Sequence, residues 1–223
     1  MMRNNTNLFI TGCALIMLLL VTISASYAYF NSKFNNNGTL NINTTTSEAA
    51  TFTAYTLDQI EFNVTEDDLK EPSLTAVKND AGQVVAVLSS PVEGKTVHCT
   101  YDIEFIWDTE NQYTVPSMIF NNEYKYEISL QGSQSVTGDT TGHNYNNNLL
   151  RETNLTDFTW TGTAGSIGRR SKIISGAEIY SKSASQTKAT WSFTLKFYSI
   201  SADQSNLMGK SYGAHLAVTN VVC

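Results

Sequence analysis

After residue 50 the chain alternates apolar and polar side chains at every second position, the period of a strand with one buried face. Two stretches carry the pattern most strongly. In residues 97–107, Val97, Cys99, Tyr101, Ile103, Phe105 and Trp107 share one face, and His98, Thr100, Asp102 and Glu104 share the other. In residues 190–198, Trp191, Phe193, Leu195 and Phe197 oppose Ser192, Thr194 and Lys196. Residues 51–55, 59–64, 124–130 and 215–223 alternate in the same way, and 157–161 and 173–180 do so more weakly.

The apolar runs 74–77 and 84–88 flank Lys78-Asn79-Asp80-Ala81-Gly82-Gln83, a segment of turn-forming residues that predicts a hairpin. Residues 131–151 read as a long surface loop, 162–168 as a Gly- and Ser-rich bend, and 201–210 as a loop with a helical turn. No segment beyond residue 30 has helical apolar periodicity. The expected class is all-β: an antiparallel β-sandwich, jelly-roll or Ig-like, following an N-terminal hydrophobic helix.

That helix is residues 8–30, the long apolar run of the chain, preceded by MMRNNTN with Arg3 as its single charge. A positive start, an apolar core and then small residues form an export signal. Ser26 and Ala28 stand three and one residues before a candidate cut between Ala28 and Tyr29, where a signal peptidase needs small side chains. The apolar core of about 16 residues is longer than most secretory cores and short of the roughly 20 that span a bilayer. Two outcomes therefore stay open: a cleaved signal peptide, or a single-pass anchor with Arg3 inside and the body outside. Ile10-Thr11-Gly12-Cys13 looks like a lipid-attachment box, but most of the apolar run follows Cys13, whereas such a box closes the run. The expected organisation is 1–28 signal or anchor, 29–46 an N-terminal arm, and 47–223 a single β-sandwich domain in an extracellular or cell-surface location.

The arm is rich in Asn and Thr and has few apolar side chains to hold it on its own domain. It suits a flexible segment, an edge strand, or a strand lent to a neighbour. Ala25-Ser26-Tyr27-Ala28-Tyr29-Phe30, followed by Gly38-Thr39-Leu40-Asn41-Ile42, resembles the start of TasA/camelysin-type secreted proteins of Gram-positive bacteria. The match covers about the first 46 residues. It implies cleavage by a dedicated signal peptidase and a surface or biofilm-matrix protein with a jelly-roll-like body. It also implies a freed N-terminal strand that completes a neighbouring subunit. Phe30, Leu40 and Ile42 are then the side chains that would fill the neighbour's pockets. Camelysin is described as a metallopeptidase, and no residues here match a zinc motif.

Charge and cysteine content narrow the partners. The net charge is −6, and it becomes −7 when Arg3 leaves, with 13 basic against 20 acidic side chains. Nucleic acid, which needs clustered Lys and Arg, is not an expected partner. The roughly 195 residues after the signal fit one sandwich. Cys99 and Cys223 remain as a pair that an oxidising compartment would join; the alternative is a buried Cys99 thiol and a frayed Cys223.

Candidate chemistry is sparse. Gly209-Lys210-Ser211 lacks the upstream glycine of a phosphate loop, and Ser185-Gln186-Thr187-Lys188 leads into a strand rather than a helix, so it reads as a turn. His98, His143 and His215 are isolated in sequence, outside any His-Glu-x-x-His, and read as surface histidines. Glu66-Asp67-Asp68 reads as a solvated turn rather than a calcium loop. Asn37, Asn43, Asn63 and Asn154 begin glycosylation sequons that such an Asn- and Thr-rich chain contains by chance. Tyr113, Tyr124, Tyr145 and Tyr212 lie in polar surroundings where rings can stack on sugars. The sequence thus points to a non-enzymatic structural protein with no cofactor, no catalytic residues and no metal ligands. The expected partners are its own kind or related surface subunits, with a surface-glycan module as the alternative and an extracellular hydrolase as a weaker one.

Overall fold

Among the residues described by the computed structural model (42–43, 50–90, 93–107, 127–145, 149–162, 169–182 and 185–223), eleven strands form two antiparallel sheets. The first sheet contains, in spatial order, β1 (Ile42–Asn43), β2 (Thr51–Asp58), β4 (Lys78–Ser89), β10 (Gln186–Phe197), β6 (Ile128–Thr137) and β7 (Leu149–Asn154). The second contains β3 (Ile60–Asn63), β11 (Ser211–Val222), β5 (Thr96–Trp107), β9 (Arg170–Lys182) and β8 (Trp160–Thr161). The described residues belong to one unit, Thr39–Cys223. Among them no helix is long and apolar enough to cross a membrane; residues 8–30 lie outside the description.

Two pieces of chain change sheets. β2 runs into β3 across Gln59 alone, and β7 runs into β8 through a 3-10 turn at Leu155–Asp157. If each of these is counted as one bent strand, the first pairs with the eighth (β3 with β11) and the second with the seventh (β4 with β10). The third then pairs with the sixth (β5 with β9) and the fourth with the fifth (β6 with β7). That is one long hairpin rolled into two sheets, the order of a jelly roll rather than an Ig domain.

The core is the shared inner face. Phe52, Tyr101, Phe105, Trp191, Phe193 and Phe197 are all fully buried. Trp191 stacks on Phe193 with ring centroids 5.7 Å apart, and its Nε1 donates to Tyr101 Oη at 2.9 Å. That bond satisfies the indole where water cannot reach it. Burial pushes the Tyr101 phenol up to about 12.

Three expectations change. Residues 78–83 are not a turn but the first half of β4, paired residue for residue with β10 from Lys78↔Phe197 to Gln83↔Ser192. Asn79, Asp80 and Gly82 would tolerate a turn, but pairing on the ladder satisfies the backbone of the segment, and tertiary pairing prevails over local preference. Gly82 and Gly132 are the cross-strand partners of Phe193 on its two sides. A Cβ on Gly132 would stand 2.4 Å from the Phe193 ring, and one on Gly82 would stand 2.9 Å from Ile60. Both glycines therefore leave room for core side chains.

The polar segment from residue 131 is a strand as far as Thr137, and β7 begins at Leu149, which shortens the expected loop from both ends. The expected turn at 185–188 already belongs to β10 from Gln186 onward. By contrast, residues 97–107 lie inside β5 and 190–197 inside β10, with Tyr198 just past its end, the last strand is β11, and the helical turn in 201–210 is at Ser205–Leu207. Of the weaker candidates, 173–180 lies within the 13-residue β9, and 157–161 contracts to the two residues of β8. Residues 163–168 of the expected bend, together with Tyr113, Tyr124 and Asn37, lie outside the described residues.

Candidate functional site: an open flank between the sheets

β1 holds to β2 by two residue pairs only, Ile42↔Phe52 and Asn43↔Thr51. Among the described residues no strand pairs with positions 54–58 of β2 on the side away from β4. In the second sheet, β3 pairs with β11 at Ser211 to Ala214, and no described strand continues that pairing along positions 216–222. The two edges meet at the corner where β2 gives way to β3, and there Thr56 Oγ1 donates to the Leu216 carbonyl at 2.7 Å. On β2, Phe52 and Ala54 are buried, whereas Thr51 is exposed and Leu57 is 50% exposed. Among the described residues, this flank thus offers backbone groups for an added strand, with a core-facing side for apolar side chains.

The far wall of the flank is pinned at its end. Cys99 and Cys223 are bonded, joining the last residue of the chain to β5. The β11–β5 register breaks between Thr219 and Val222, where Asn220 adopts a left-handed φ of 50°. Its Nδ2 donates to Asp102 Oδ2 at 2.7 Å. Asp102 also accepts from the Gly176 amide at 2.8 Å and pairs with Lys172 Nζ at 2.6 Å. Burial alone would raise this carboxyl, but the hydrogen bonds from Lys172, Asn220 and Gly176 and the Lys172 charge bring it down to about 2.

A folded value below the ordinary 3.8 means that this anchor contributes stability above about pH 4 and loses it as pH falls toward 2. Asp102→Asn is accordingly expected to destabilise the protein at neutral pH, with the gap from the parent narrowing by about pH 2. Urea unfolding at the two pH values measures this.

Of the residues singled out from sequence, Ile42 lies in β1 and both cysteines form the cross-link. Ala28, Tyr29, Phe30 and Leu40 lie outside the described residues. Tyr212 is 2% exposed and its hydroxyl donates to the Leu207 carbonyl at 3.2 Å, so its ring packs inside. His215 sits on β11 opposite Ile106.

His98 and His143, isolated in sequence, come together on the outer side of the second sheet. His98 is the cross-strand partner of Tyr180, and their rings stack at 4.2 Å. His143, from the β6–β7 connection, packs against the same ring at 4.1 Å. Glu178 approaches both, 3.6 Å from His98 Nε2 and 3.4 Å from His143 Nε2. The signal for this cluster is positional. His98, Glu178 and Tyr180 all occupy outward positions, but only the β5–β9 register brings them to one spot.

Among the described residues no group of three His, Cys, Asp or Glu side chains is arranged to hold a metal ion. One buried acid stands apart: burial raises the Glu127 carboxyl, and Gln204 Nε2 donates to its Oε1 at 3.3 Å. No protein-family model matches the chain, and no curated protein matches it.

Proposed function

We propose that the protein is an exported, non-enzymatic structural subunit that assembles into a fibre, matrix or surface layer by lending its N-terminal strand to the next copy. The carrying observation is β1: two residues of the arm already lie on the β2 edge, held by only two residue pairs. So short a strand contributes little by itself, and the same contact made with a neighbour's β2 exchanges one partner for an identical one.

An arm continuing in the register of Ile42↔Phe52 brings Leu40 opposite Ala54 and Gly38 opposite Thr56. Leu40 and Ile42 then both fall opposite core-facing positions of β2. Because each copy gives an arm at one place and receives one at another, the contact is head-to-tail and propagates as a filament. Backbone hydrogen bonds supply affinity, and the alternate side chains supply register. The cross-link fits an oxidising compartment.

Electron microscopy of two chains, one beginning at Tyr29 and the other at Ser47, tests the proposal, since the second lacks the whole arm, residues 29–46. The longer chain is expected to form filaments and the shorter one to stay dispersed. Equal assembly of both, or of neither, contradicts the proposal.

A further inference from the structure

We propose that residues 138–145, in the connection between β6 and β7, form a strap over the outer edge of β9 whose hold is set by the charge of His143. β9 is paired along one side by β5, but on its other side β8 reaches only Arg170 and Ser171. Among the described residues no strand covers positions 172–182 on that side. An uncovered edge of this length invites pairing with other chains. The strap reaches it through Tyr145, whose Oη accepts the Tyr180 amide hydrogen at 3.0 Å. Burial keeps the Tyr145 phenol protonated well above the ordinary range, and Asp139 beside it adds to that.

The rest of the hold is made of rings and one carboxylate. The Tyr180 ring takes His98 at 4.2 Å and His143 at 4.1 Å, and Tyr145 meets His143 at 4.7 Å. Glu178 is the acid within reach of both imidazoles. On β5, Asp102 is occupied by Lys172, Asn220 and Gly176; on β9, Lys182 lies outward beyond Tyr180; on the strap, Asp139 faces Tyr145.

Neutral imidazoles contribute ring stacking and a weak contact to Glu178. A protonated His143 adds an ion pair to Glu178 and cation–π attraction to Tyr180, while His98, on β5, meets the same carboxylate and ring from within the sheet. Histidine changes charge between about pH 5 and 8, so the strap closes on acidification and loosens as pH rises through that range. It shields the edge in acid and exposes it under alkaline conditions, independently of any exchange at β1.

Hydrogen exchange of the Tyr180 amide reports the strap directly, measured at about pH 5.5 and about pH 8 and corrected for intrinsic rate, with the Phe193 amide as the core reference. The parent is expected to show about tenfold greater Tyr180 protection at the lower pH. A chain with His98→Gln and His143→Gln is expected to show the same protection at both. Equal protection in the parent at the two pH values overturns the proposal, and so does a pH difference that survives in the double variant.

Discussion

A chain carrying Cys99→Ala and Cys223→Ala is expected to lose about 5 kcal/mol of unfolding free energy relative to the oxidised parent. The cross-link spans 124 residues of sequence, so it removes a large share of the unfolded chain's freedom. It also fastens the end of β11, whose pairing with β5 is already broken between Thr219 and Val222. Cys99 is fully buried, so part of the loss in the variant comes from the small cavity that alanine leaves. The parent under a reducing agent separates the two contributions, because it keeps the sulfur volume and loses only the bond. Urea unfolding of the oxidised parent, the reduced parent and the double variant gives the comparison. A loss below about 1 kcal/mol on reduction would show that the bond does not hold β11 in place.

The fold was legible wherever one-sided burial imposed a period of two. β5 and β10 stand out because each lies in the middle of its sheet with a continuous apolar face. Residues 78–83 were illegible for the opposite reason. Their composition favours a turn, and the groups that make them a strand are on β10, more than a hundred residues away. Gly82 and Gly132 look like breaks in a pattern until Phe193 is seen between them.

The sites divide in the same way. Cys99 and Cys223 were recognisable as a pair because only two cysteines follow residue 30. The cluster of His98, His143, Glu178 and Tyr180 was not, since no spacing in the chain joins its members and the register of two strands and the course of one connection must be known first. The scarcity of apolar side chains in residues 29–46 was readable in the chain, but the place of Ile42 and Asn43 beside β2 follows only from the sheet order.

Strand exchange makes a sharper prediction than filament formation alone, because it specifies which residues of two different chains face each other. Asn43 and Thr51 are paired across β1 and β2. Cysteines at such directly opposed antiparallel positions are close enough to bond. Two differently tagged chains beginning at Tyr29 are therefore to be mixed under oxidising conditions, one with Asn43→Cys and the other with Thr51→Cys. If the arm of one copy lies on β2 of the next, a disulfide-linked pair carrying both tags forms, and it disappears when either substitution is reverted. If the arm serves only its own chain, the mixture yields no pair with both tags, while a single chain with both substitutions closes the bond within itself; that result would contradict the account.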